Sequence, residues 1–202
     1  MSVSTVRERR RSDTRREILD AAVEVMTERG VAGLSLSEVA RRVGMRQPSL
    51  YKHFASLHAV YDALFHEAAV AQLAAVRGAA DQGLLAVFEA IGRLAMRHPV
   101  LGQLLAWRPV PSFHPSPEAF QPSIDMVQEV RAVLRAAVED GTLHPAADSE
   151  EGVALVSILV TGTLSQQLAN EPEASYEDGR FTRLVPQVVA MFIRHYAPEK
   201  RS

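Results

Sequence analysis

The segment from Ser35 to Phe54 constrains this chain most, because it reads as two short helical stretches with a glycine, Gly44, between them. Ser35 and Glu38 form an S-x-x-E capping box, which satisfies backbone N–H groups at a helix start. Ala40 is small where a second helix must cross closely, and Gly44 can take the positive φ of a sharp inter-helix turn. Leu50 and Phe54, four apart, anchor the second helix inward and leave Gln47, Ser49, Tyr51, Lys52 and His53 mostly on other faces. The spacing predicts a helix-turn-helix whose second helix can enter the major groove of DNA. Many glycine-turn hairpins never touch DNA, so the outward chemistry carries the weight. Gln can bond adenine at two points, Lys and Arg meet guanine or phosphate, and Tyr adds a hydroxyl on a stiff ring. From Arg41 to Ala55 there is no acid to repel phosphate.

Charge separates the two ends of the 202-residue chain. Residues 1–60 carry eleven Lys/Arg against seven Asp/Glu, while 61–202 carry eleven against seventeen. Six arginines fall between Arg7 and Arg16, so residues 1–12 read as a flexible basic arm, either adding salt-sensitive phosphate contacts or remaining solvated. Absence of cysteine excludes disulfides and thiolate metal sites and is compatible with a reducing cytoplasm. No apolar run follows the basic start, which argues against a secretory signal. The longest apolar stretch, Val153 to Leu164, is interrupted by Ser157, Thr161 and Gly162 and is too short to span a bilayer.

Periodicity predicts an all-α fold of about nine helices. A second capping box, Thr14 to Glu17, opens a helix that Gly30 stops. Ser56 is placed to cap a long fourth helix reaching about Arg77 and joining a reader at 13–60 to a body at 61–202. Leu84–Arg97 and Val100–Trp107 follow, parted by His98-Pro99. Arg108 to Pro117 is too proline-rich for helix and reads as an ordered or gating loop. A helix is expected from Ser123 to Asp140-Gly141, then two more from about Ser149 to Ala169 and Glu177 to Tyr196. The apolar stripe of the last helix is wider than one packing contact requires, and its predecessor is apolar nearly all round. A C2 dimer through a four-helix bundle is expected, with Leu155, Leu159, Gly162, Gln166, Leu184, Val188, Met191 and Phe192 at the interface. Burial inside one protomer would produce the same pattern.

The first three helices and the start of the fourth resemble the TetR family of transcriptional regulators. The residues that carry this are Thr14 to Ala22 (TRREILDAA), Gly30, Ser35 with Val39-Ala40 and Gly44, and Leu50-Tyr51-Lys52-His53-Phe54 followed by Ser56. About 50 residues are covered. His98-Pro99-x-Leu101 with Arg108-Pro-Val-Pro111 is similar to one C-terminal subgroup. The resemblance implies DNA contact by Gln47, Pro48, Ser49, Tyr51, Lys52 and His53, with Ser35 as both cap and phosphate contact and Ser37 beside it. Two departures stand out: Arg46 occupies the usual serine cap of the reading helix, adding a cation, and Leu57 stands where the family usually has Lys. The resemblance further implies a homodimeric, cytoplasmic repressor released from a palindromic operator by a small molecule, without a cofactor.

An effector pocket is expected around the proline loop, from Phe88, Met96, Trp107, Phe113, Phe120 and Met126, with Arg108 or His114 as polar handles. Each is also a candidate for plain core filling. Catalysis finds no support: the seven histidines are scattered without metal-ligand spacing, and no nucleophile elbow or phosphate loop occurs. No metal site is expected. The remaining alternative is a helical interaction or membrane-surface module with a vestigial helix-turn-helix, against which the acid-free face argues.

Overall fold

The computed structural model describes residues 3–107 and 109–198, and every regular element among them is helical. Nine α-helices follow in order: α1 Val3–Arg29, α2 Leu36–Arg42, α3 Gln47–Leu50, α4 Leu57–Ala79, α5 Leu84–Arg97, α6 Pro99–Trp107, α7 Pro117–Glu139, α8 Glu150–Asn170 and α9 Val185–His195.

Three boundaries differ from the sequence expectation, each for a local reason. Helix α1 runs back to Val3 through the stretch read as a flexible arm, because that stretch holds no Gly or Pro to stop it. Thr14 therefore lies mid-helix and its hydroxyl donates to the Arg10 carbonyl instead of capping. Helix α7 starts at Pro117, not Ser123: the Ser116 Oγ accepts from the Ala119 N–H at 3.1 Å, and proline is favoured at a first helical position. Helix α9 starts at Val185, preceded by a 3-10 turn over Thr182–Leu184, because Ser175 and Asp178 hold residues before it in a side-chain-capped turn.

The hydrophobic interior has two parts that α4 links. The first gathers α1, α2, α3 and the leading half of α4, including Tyr61, Leu64, Phe65 and Ala69. It also takes in Val100 and Leu104 from α6, Phe113 from the proline loop and Ala119 from α7, so a cut at residue 60 would open it. The second joins the trailing end of α4 to α5, α7, α8 and α9. Phe88 and Met96 belong here as core residues. The buried Gln167 of α8 secures the following connection: its Oε1 accepts from the N–H groups of Phe181 and Thr182 at 2.9 and 3.3 Å, and its Nε2 donates to the Glu171 carbonyl at 3.0 Å. At 21 residues, α8 is long and apolar enough by length and composition to cross a membrane. The sequence count missed this by stopping at Leu164; in the fold α8 packs on α5, α7 and α9.

The proline loop is strapped onto α4. Phe113 is buried against Tyr61 and Phe65, and Ser116 donates from its N–H and Oγ to the Asp62 carboxylate at 2.7 and 2.9 Å. Phe113 therefore fills core, and His114 is exposed.

Candidate functional site

Gly44, at φ 67°, makes the turn between α2 and α3, and the Met45 N–H closes it onto the Ala40 carbonyl at 2.9 Å. The capping box forms as expected, with the Ser35 Oγ accepting from the Glu38 N–H at 3.4 Å. Arg46 gives α3 no side-chain cap, and Pro48 near its start suits a first turn. Leu50 and Phe54 are buried and fix the helix from beneath.

Above that anchor Arg46, Gln47, Pro48, Tyr51 and Lys52 are exposed, with Ser37 exposed on α2. Ser35, Ser49 and His53 are half-buried. The His53 Nδ1 is buried without a hydrogen-bond partner, which makes this ring the least available of the group. Leu57, where a lysine was the expected relative, packs partly against the first core. Arg46 and Lys52 face solvent with no carboxylate partner among the described residues, whereas Arg41 and Arg42 are engaged by Glu38. Arg42 also reaches Glu24 and Glu28 of α1, pinning α2 to it. Hydrogen bonds from Arg41, then Arg42, hold the Glu38 carboxyl down to about 2, far below its usual 4.5.

Two clamps here were not anticipated from sequence. The Arg15 guanidinium donates to the His53 carbonyl and lies 4.1 Å over the Phe54 ring, fastening the end of the reading helix to α1. The Tyr61 hydroxyl donates to the Val31 carbonyl at 2.7 Å, fastening α4 to the turn before α2. Burial raises the Tyr61 phenol above its ordinary 10.0. Arg15 fell inside a basic run that reads as solvated, so charge pattern alone hid it.

A cavity of about 220 Å³ lies between α4, α5, α6, α7 and α8. Trp107, Phe120 and Met126 line it as the sequence suggested, together with Phe65, Gln72 and Thr161, which the sequence reading missed. Phe88, Met96, Phe113 and His114 do not line it, and Arg108 lies outside the described residues. The missed positions come from α4 and α8, distant in sequence from the proline loop, so clustering along the chain gave no signal for them.

On the far side of α8, Ala154, Ile158, Gly162 and Gln166 are exposed at every fourth position. Ile158 is 64% exposed, and the adjoining Leu184 and Met191 are 47% and 58% exposed. Leu155, Leu159 and Val188 are half-buried on the second core. Phe192 is corrected from interface to core: it is 3% exposed and its ring centroid lies 4.9 Å from that of Tyr196. Ile158 was missed, although stepping back four from Gly162 would have found it.

Residues 18–64 match the family described as bacterial regulatory proteins, tetR family. In that segment, 47 of the 202 residues, the chain is similar to the TetR family. It is 40% identical over 50 residues to the class D tetracycline repressor protein of Escherichia coli, covering 25% of this chain and 23% of that one. The chain thus spans about a quarter of the length of the curated relatives it matches. Solved structures extend the likeness in fold to about nine-tenths of the chain. A regulatory protein in the tetR family from Rhodococcus RHA1 has a TM-score of 0.71 at 18% identity, covering 91% of this chain and 96% of that one. FadR of Bacillus subtilis, solved with stearoyl-CoA, has 0.69 at 16% identity, with 88% and 96% covered. At these identities the likeness is one of fold.

Proposed function

We propose that this chain is a TetR-family DNA-binding repressor that acts as a C2 homodimer in the cytoplasm and leaves its operator when a small molecule fills the cavity. The observation that carries the reading is the exposed, acid-free surface of Arg46, Gln47, Tyr51 and Lys52 on and beside α3, anchored beneath by Leu50 and Phe54 and fastened at its C-terminal end by Arg15. Gln47 and Tyr51 are placed for base edges, Lys52 and Arg46 for guanine or phosphate, and Ser35, Ser37 and Ser49 for the phosphate backbone.

Dimerisation is supported by the apolar face of Ile158, Leu184 and Met191, large side chains left uncovered along two neighbouring helices. Twofold pairing through that face would present two α3 helices to half-sites ~34–36 Å apart. Helix α4 is the natural lever, since it enters the reader at Leu57 and lines the cavity at Phe65 and Gln72. These ends are about 22 Å apart at the rise of an α-helix. A ligand shifts the balance only by preferring one dimer geometry, tenfold preference being worth ~1.4 kcal/mol. FadR, with its bound stearoyl-CoA, is a precedent for ligand accommodation in this fold.

Selection of genomic fragments on the purified protein, followed by gel shift, tests the reading. A recovered palindrome bound by the wild type, but not by a monomeric Met191→Glu variant, is the expected result. Retention of no specific DNA would overturn it.

A further inference from the structure

Resting on that reading, we infer that the cavity takes an uncharged, mainly apolar molecule carrying a hydroxyl or carbonyl group, and that Gln72 recognises this group. The wall is largely hydrocarbon, yet Gln72 of α4, Ser123 of α7, Thr161 of α8 and His98 at the end of α5 face it without any side-chain hydrogen bond. Helical hydroxyls elsewhere on α8 are not left open in this way. Ser157 donates to the Val153 carbonyl at 3.1 Å and Thr163 to the Leu159 carbonyl at 2.7 Å, whereas Thr161 does neither. Gln72, Ser123 and Thr161 are half-buried and open to water, so a ligand whose hydrocarbon covers the apolar wall can satisfy them only by bringing a dipole of its own.

The same wall sets the charge of the occupant. No Asp, Glu, Lys or Arg occurs among its described residues. A formal charge brought there would lose its hydration with only His98, itself exposed, to answer it among the described residues, a larger penalty than a dipole incurs. Gln72 is singled out by position and chemistry. Its amide supplies both donor and acceptor, so it can meet a hydroxyl or a carbonyl. It also sits on the helix that enters the reader, while Thr161 adjoins Gly162 on the uncovered face of α8. A ligand held by Gln72 is thereby attached to the element whose position the operator senses.

The chain carries its own reporter. Its single tryptophan, Trp107, lies in the cavity wall, with Nε1 donating to the Ser165 Oγ at 2.7 Å. The test titrates 1-decanol and decanoate onto the full chain without DNA at pH 8, where the acid is ionised, and follows Trp107 emission. Decanol is expected to give a saturable change, and decanoate to bind at least about tenfold more weakly. Gln72→Leu, or Gln72→Met should the first fail to fold, is expected to weaken decanol about five- to tenfold with helicity unchanged. Equal affinity for alcohol and carboxylate overturns the uncharged class. Unchanged decanol affinity in a folded Gln72 variant overturns its role, and no Trp107 response to either probe overturns the cavity as a ligand site. Operator binding is read separately by gel shift, so failure of the repressor reading leaves a distinct signature.

Discussion

Around Arg15 and Glu38 the N-terminal helices are joined by directional polar contacts, whereas α4 to α8 meet around a space whose polar groups stay open. The reader is over-determined: the position of α3 is fixed from below by Leu50 and Phe54, from the side by Arg15, and through α2 by the Glu38 cluster. Apart from the Trp107–Ser165 hydrogen bond in the cavity wall, the body is fastened by polar contacts set back from the cavity, as at Gln167 and the turn before α9. A surface that must match a rigid duplex gains from being held still. On the function proposed above, a cavity that changes with its occupant gains from being held mainly at its margins.

The largest effect that would sharpen this contrast is expected at Gln167. Gln167→Leu strands the Phe181 and Thr182 N–H groups and should lower global stability by about 2–4 kcal/mol, read as a fall in melting temperature. An unshifted melting curve would mean the body is not fastened there. Next come Tyr51→Ala and Gln47→Ala, at positions whose side chains make no hydrogen bond among the described residues; both should weaken operator binding by ~1–3 kcal/mol with little change in stability, Gln47 also relaxing base preference. Should either melt early instead, the division between a reading surface and a supporting scaffold breaks down. Lys52→Ala is expected to reduce the salt dependence of binding by about one unit of slope, measured by titration at several salt concentrations.

The mildest prediction concerns acid. Because the Glu38 carboxyl is held at about 2 in the folded chain against 4.5 ordinarily, its contribution is fully present above 4.5 and disappears as pH falls toward 2. Glu38→Gln should flatten the acid limb of the melting profile for the reader. An unaltered limb would show that its arginine partners are not stabilising in solution.

The helix-turn-helix was legible in sequence because its turn, cap and anchors need particular residue types at fixed offsets. The glycine turn, the Ser35 cap and the Leu50–Phe54 anchor all sit within one short stretch and obey helical spacing. Arg15 was not legible, since one arginine among several gives no hint of which carbonyl it will find. The body was legible as helices but not as a cavity. Phe88, Met96 and Phe113 are aromatic or apolar near the proline loop, and so resembled wall residues, yet packing sends each inward to core. Gln72 and Thr161 become neighbours of that space only through the tertiary arrangement of α4 and α8. Likewise Phe192 shares its stripe with Met191, and only the direction of the neighbouring helices separates the covered side from the bare one.

The sharing of Val100, Leu104 and Phe113 with the first core limits how this chain can be recombined. A chimaera that transplants only residues up to 60 onto a foreign effector domain would leave raw hydrocarbon where α6 and the loop used to rest. A workable graft has to carry that seam along, or rebuild its counterpart in the recipient.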